Sequence, residues 1–182
     1  MSASDTNILD VVIPIVTLFI GLAFGMLSDY LKDKRLLERE REIRDIQFRQ
    51  DSKIRFNQFQ RENLISLQEA IGKLIRATGK GHHEDTIAFK MSGEWKKNVL
   101  SEEVDIGFLN SQNLVSMHYV RLHNSEIREI SKSLKRLCSE VALAESERVG
   151  MKNMMEISRI VEDLEERIGF ELRRIDNIEA SL

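Results

Sequence analysis

From Val11 to Leu27 the chain reads VVIPIVTLFIGLAFGML, seventeen consecutive residues without a charge. As a helix that run rises about 25 Å at 1.5 Å per residue. With Ile8, Leu9, Tyr30 and Leu31 on its flanks it reaches the roughly 30 Å of a bilayer's hydrocarbon. A buried core helix of this character needs a large apolar domain around it, and the remainder of the chain is too charged to supply one. The run is therefore read as a transmembrane helix. A cleaved signal peptide is the rival reading, but such peptides begin with basic residues and end at a small-residue cleavage site. Here the start is MSASDTN and the end is Gly25-Met26-Leu27-Ser28, which predicts a retained anchor.

The distribution of bases gives the orientation. No Lys or Arg precedes the run, whereas Lys32, Lys34, Arg35, Arg39, Arg41 and Arg44 follow it closely. Basic residues resist translocation, so the N-terminus is expected outside and the C-terminal bulk in the cytoplasm, at the inner membrane. The single cysteine, Cys138, rules out an internal disulfide framework and suits that reducing side. Lys and Arg total 27 against 30 Asp and Glu, a net charge of −3. Asp5 and Asp10 precede the run, so the cytoplasmic part carries 27 bases against 28 acids. That balance excludes the strongly basic face of a nucleic-acid binder. Within the span, Gly21 and Gly25 form a G-x-x-x-G that lets a second helix approach closely. Self-association through these two glycines is one reading, and the ordinary frequency of glycine in membrane helices is the other. Pro14 lies near the outer end, where its missing N–H does least harm.

Beyond the span the chain reads as all-α. One proline, nine glycines and 6% aromatic residues in 182 leave few helix breakers and little material for a β-rich fold. Three segments are expected: residues 1–31 with the membrane helix, a charged helical stalk at 32–55, and a cytoplasmic helical bundle at 56–182. In the stalk, Glu40/Arg44, Arg41/Asp45 and Asp45/Arg49 are spaced to pair along one helix. Leu36, Leu37, Ile43, Ile46 and Phe48 are too sparse for a continuous heptad seam. A solvated stalk is the plainer reading, and a parallel coiled coil aligned by the membrane helices is the sharper one.

Amphipathic periodicity then strengthens. Phe56, Phe59, Leu64, Leu67, Ile71, Leu74 and Ile75 form a core-facing stripe, which Thr78-Gly79-Lys80-Gly81 is expected to stop. Glu84 to Met91 can add two helical turns ending at Gly93. Ser101 is a candidate N-cap for a helix to about Leu122, with Val104, Phe108, Val115 and Leu122 on one face. Asn124 or Ser125 caps the next, where Ile127, Ile130, Leu134, Leu137 and Val141 step by 3 and 4. After a weak point at Gly150, Met154, Ile157, Val161, Leu164, Ile168, Ile175 and Ile178 keep the same rhythm, interrupted by Glu171. These stripes predict an antiparallel bundle with coiled-coil-like packing. The last two helices are also able to pair with another subunit.

Little in this sequence looks chemical. His82-His83-Glu84-Asp85 combines imidazoles and carboxylates, but adjacent side chains diverge, and on a helix only His82 and Asp85 share a face. Two ligands fall short of a metal site, and the Glu-x-x-His pairs of a di-iron bundle are absent. A polar helix start is the simpler reading. His118 and His123 lie on different faces and suit hydrogen bonding at the surface or between helices. Cys138 beside Leu137 reads as a structural thiol. No hydrolase-type nucleophile motif or P-loop occurs, so no catalytic residue, cofactor or metal is assigned, and the chain is read as a non-enzyme. Trp95, among Gly93, Glu94, Lys96 and Lys97, either plugs the end of the bundle or anchors a partner.

The stretch from Gly81 to Val104, with His82-His83-Glu84-Asp85, Ala88-Phe89, Ser92-Gly93-Glu94-Trp95 and Leu100-Ser101-Glu102-Glu103, resembles a group of bacterial membrane-anchored proteins. These have one N-terminal span and a charged helical body. The resemblance implies localisation and layout but no reaction. The expectation is a single-pass scaffold or interaction protein that binds a protein partner or self-associates at the membrane surface. A membrane-perturbing effector or regulator with a sensing bundle is the first alternative, and a metal-dependent enzyme at His82 is the second.

Overall fold

The computed structural model describes residues 8–96 and 100–181, with side chains from Val16 onward except Ala23. Expectations that rest on residues 1–7, on side chains before Val16 (Pro14 included) or on Ala23 lie outside the described residues. Four helices are described: α1 (Ile8–Ser92), α2 (Glu102–Tyr119), α3 (Ser125–Ala142) and α4 (Glu147–Ala180). No strand occurs among the described residues. The chain divides into two units, Met1–Ser52 and Lys53–Leu182, and α1 contributes to both.

In the first unit every described side chain but that of Ser52, which is half-buried, is exposed. The large apolar residues between Val16 and Leu31 are 45–73% exposed, on all sides of the helix. Among the described residues, no helix is long and apolar enough to cross a membrane, so the fold gives the expected span no support of its own. Of the three stalk pairs, Glu40–Arg44 forms at 3.8 Å, and Lys32 also approaches Asp29 at 3.7 Å. Arg41–Asp45 and Asp45–Arg49 do not form ion pairs. Exposed pairs of this kind contribute only about 0.3–0.5 kcal/mol each.

The second unit is a helical bundle. Its core gathers Leu64, Leu67, Ile71 and Leu74 of α1, Val115 of α2, Ile127, Leu134, Leu137 and Val141 of α3, and Ile157, Leu164, Ile168 and Ile175 of α4. Side-chain contacts fix the directions. Gln60 meets Arg121 while Glu84 meets Ser101, so α1 and α2 run antiparallel. Gln112 reaches Ser139 and Lys135 reaches Ser116, which sets α2 against α3. Asn124 contacts Glu171 near the start of α3, so α3 and α4 are also antiparallel.

Two expectations about α1 are corrected. Phe56 and Phe59 are exposed, and Asn57, Gln60 and Asn63 face inward on those turns. One of these inward polar groups holds a loop. The Gln60 amide donates to the Arg121 carbonyl at 3.1 Å and accepts from the His123 N–H at 2.7 Å. Phe56 instead meets the His123 ring edge-on at 5.8 Å. The second correction is that α1 does not stop at Gly79–Gly81 but continues to Ser92. Each helical glycine costs about 1 kcal/mol relative to alanine, yet tertiary packing holds this segment. Ala77, Thr78, Asp85 and Ala88 are buried along it, and the Thr78 hydroxyl donates back to the Leu74 carbonyl at 2.8 Å. Gly93, at φ 74°, ends the helix in a conformation that glycine adopts without penalty.

The caps explain the remaining boundaries. Asn124 accepts from the N–H groups of Glu126 and Ile127 at the start of α3. Its own amide donates to the buried Glu171 carboxylate at 3.3 Å, and Arg174 holds that carboxylate from the other side at 2.6 Å. The interruption in the α4 stripe is thus a polar tie that orients the cap of α3. Ser146 caps α4, which places the break before Gly150 at Leu143–Ser146.

Candidate ligand-binding cleft

The inward face of α1 changes size along its length. Leu64, Leu67, Ile71 and Leu74 fill the core, and then Ala77, Thr78, Gly81 and Asp85 occupy the following inward turns. Opposite them, α3 ends in Ser139 and Ala142, which are also small. Side chains this short leave space, and a cleft of about 390 Å³ opens between α1, α2 and the end of α3. Val104, Phe108 and Leu109 of α2, with Leu100 and Leu143, form its apolar wall, while Gln112, Ser139, His82, Asp85 and Asp105 supply polar groups. That volume falls within the range of small-molecule sites, about 300–1,000 Å³.

Asp85 is 6% exposed and makes no hydrogen bond or ion pair among the described residues. Burial is the main influence on its carboxyl and pushes its pKa above the usual carboxylate range, against the pull of Lys96 and His82. His82, one turn earlier, buries both ring nitrogens without a hydrogen-bond partner among the described residues. Burial pushes its pKa down, outweighing the attraction of Asp85 and Glu147. A neutral imidazole and an unpaired carboxylate therefore share one side of the cleft.

Trp95 sits behind this pair. Its ring lies 5.9 Å from those of His82 and Phe89. The indole N–H donates to the Ala144 carbonyl at 2.8 Å, and the Lys96 ammonium donates to the Ala142 carbonyl. The turn after α1 thus supplies donors to carbonyls at the C-terminal end of α3, which the helix itself leaves unpaired. Positive φ values at Gly93 and Lys96 make that turn possible.

The four-residue cluster is therefore split. His82 and Asp85 line the cleft. Glu84 points elsewhere and accepts from the N–H and hydroxyl of Ser101 at 3.1 and 3.0 Å, which explains why Ser101 occupies the N-cap position of α2 without a side-chain cap bond of its own. His83 is exposed. Among the described residues no group of three or more His, Cys, Asp and Glu is placed to hold a metal. His118 lies 3.5 Å from Asn63. Cys138 is fully buried, and its thiol pKa is pushed up to about 11 by burial despite a hydrogen bond with Thr78, a state unsuited to nucleophilic chemistry. Ala77, Thr78, Gln112 and Ser139 carry no chemical motif. Their signal in the sequence is small or polar side chains at positions where the helical period calls for large apolar ones.

Gly150 completes the packing. A Cβ there would meet His82 Cε1 at 2.8 Å and Nδ1 at 2.9 Å, so glycine gives the imidazole its space. Gly150→Ala should destabilise the protein by about 1–3 kcal/mol through overpacking. In a His82→Ala background the same change should become stabilising by about 0.5–1 kcal/mol, as alanine normally is within a helix. Urea unfolding followed by circular dichroism reads both, and equal effects in the two backgrounds would refute the contact. The His82 imidazole also makes stability depend on pH. Its folded-state pKa is lowered, so the unfolded chain takes up the proton first, and stability falls as pH drops below about 6.5. His118 is shifted in the same direction by burial and Arg121, whereas the raised Asp85 adds an opposite slope at lower pH. His82→Gln should therefore flatten, but not abolish, the decline between pH 7 and pH 5.5.

No protein-family model, curated protein or solved structure matches this chain, and the chemistry of the cleft stands on its own residues.

Proposed function

We propose that this chain is a membrane-tethered helical interaction protein. A single N-terminal span, N-out and C-in, holds the bundle at the cytoplasmic face, where it binds a protein partner or self-associates. The observation that carries this reading is the exposed apolar surface between Val16 and Leu31, which lies on all sides of the helix and which no described residue of its own unit covers. Water is a poor solvent for such a surface, and lipid covers it without any partner protein. The basic residues that follow favour the cytoplasmic side. Tethering raises the bundle's effective concentration for neighbours on the same membrane. At Gly21 and Gly25 an added Cβ would meet nothing within 4 Å, so a second helix has room to approach there.

A regulator with a sensing bundle is the second reading, favoured by the cleft at His82 and Asp85. Its volume and its mixture of apolar wall and polar groups suit a small ligand. Ligand occupancy of the bundle would then be the signal the anchor presents at the membrane.

Tethering is tested by fractionating cells that express the chain with a C-terminal tag. The tag should stay in the membrane pellet through an alkaline carbonate wash, and spheroplasts should protect it from added protease. Release into the carbonate supernatant would contradict the anchor, and cleavage in intact spheroplasts would contradict its orientation.

A further inference from the structure

We infer that the cleft between α1, α2 and the end of α3 binds a small organic amine, with its ammonium at Asp85 and its apolar body against Phe108, Leu109 and Leu143. This inference rests on the reading of the bundle as a sensing module and names the class of ligand sensed.

Four observations converge on a cation. The Asp85 carboxylate is more than nine-tenths buried, lines the cavity and has no partner among the described residues. Leaving a charged acceptor in that state is expensive unless something pairs with it. Among the described residues the other charged one lining the cavity is Asp105, a second acid, and no Lys or Arg lines it. The Lys96 ammonium, whose charge acts on Asp85 from a distance, donates to the Ala142 carbonyl and forms no ion pair with Asp85. His82, one helical turn from Asp85, is disfavoured from protonation by its burial and so adds little positive charge beside the carboxylate.

The remaining wall defines the rest of the ligand. Phe108, Leu109 and Leu143 present apolar surface, so the part of the ligand that lies against them is hydrocarbon. A bare divalent cation is disfavoured because two groups on one helical face, without a third ligand, make a poor metal site. An anion of the same shape would meet two carboxylates. The binding also has a pH signature, because protonating Asp85 removes the charge that holds the ammonium.

Three probes of one shape and different charge test the assignment: 2-cyclohexylethylamine, 2-cyclohexylethanol and cyclohexylacetate. Each is titrated against the full chain in non-ionic detergent, and the shift in thermal unfolding midpoint is read from the fluorescence of Trp95, the one tryptophan in the sequence. A ligand that binds only the folded state raises the midpoint in proportion to its occupancy. The amine should bind about ten-fold or more tightly than the alcohol, the increment expected of one charge-assisted hydrogen bond, and the acid should give no shift. Asp85→Asn should bring amine and alcohol to within about two-fold. Retained alcohol binding shows that the variant is folded with its cleft intact. Asp105→Asn should weaken the amine much less. Equal binding of all three probes, or a preference for the acid, would overturn the cationic assignment. An amine preference that survives Asp85→Asn would overturn the role of Asp85. Absence of any shift would overturn the cleft as a small-molecule site while leaving the membrane tether to be judged by the carbonate wash.

Discussion

The bundle depends on how the inward face of α1 is filled. From Leu64 to Leu74 that face carries leucine and isoleucine in helical register, and the core of the other three helices closes on it. From Ala77 to Asp85 the backbone keeps the same helix and the same register, but the side chains shrink. Close packing is the norm in protein interiors, and a surface of small residues opposite the small end of α3 departs from it. The space becomes a cleft because Trp95, Leu100 and Phe108 fix the surrounding walls. A single substitution pattern along one helix thus separates a part that supplies stability from a part able to hold a ligand.

Buried polar groups differ along the bundle. At the end away from the cleft most are tied to a partner, although Asn57 Nδ2 and Glu179 Oε1 have none among the described residues. Gln60 pairs with the loop between α2 and α3, and Glu171 orients the Asn124 cap with help from Arg174. Arg174 holds the Glu171 carboxyl below the usual range, so that tie strengthens the fold above that range and weakens only in acid. At the cleft end, by contrast, Asp85 and both ring nitrogens of His82 are left without partners among the described residues. Buried polar groups are nearly always satisfied, and at the cleft end the unpartnered residues adjoin a cavity of a size to hold a bound molecule.

Much of the bundle was legible in the sequence. The stripes of α3 and α4 matched the buried residues closely, since their large apolar residues repeat at 3 and 4, and of the two expected caps, Asn124 and Ser125, it is Asn124 that serves. The errors had physical causes. Phe56 and Phe59 suggested the inward face because aromatic residues are apolar, whereas the polar Asn57 and Gln60 face in, Gln60 to satisfy a loop backbone. Gly79 and Gly81 suggested a stop because glycine weakens an isolated helix, whereas burial of Ala77, Thr78, Asp85 and Ala88 carries the helix through. Pattern reading rewards large hydrophobic side chains, so a cleft made by small ones leaves little trace. His82 and Asp85 were placed on one helical face by their spacing alone, but their shared cavity needed the approach of α2 and α3. No described side chain between Val16 and Leu31 is buried within its own unit, so the role of this stretch rests on the charge pattern and the apolar run.

The continuity of α1 through its glycines is the claim on which the cleft depends, because a break at Gly79–Gly81 would remove one wall. Hydrogen–deuterium exchange of the full chain, resolved by peptide mass spectrometry, measures it directly. The amides of residues 79–90 should exchange slowly, as part of the same protected helix as residues 64–74. Exchange at the rate of an open loop across 78–84, beside a protected 64–74, would contradict the account.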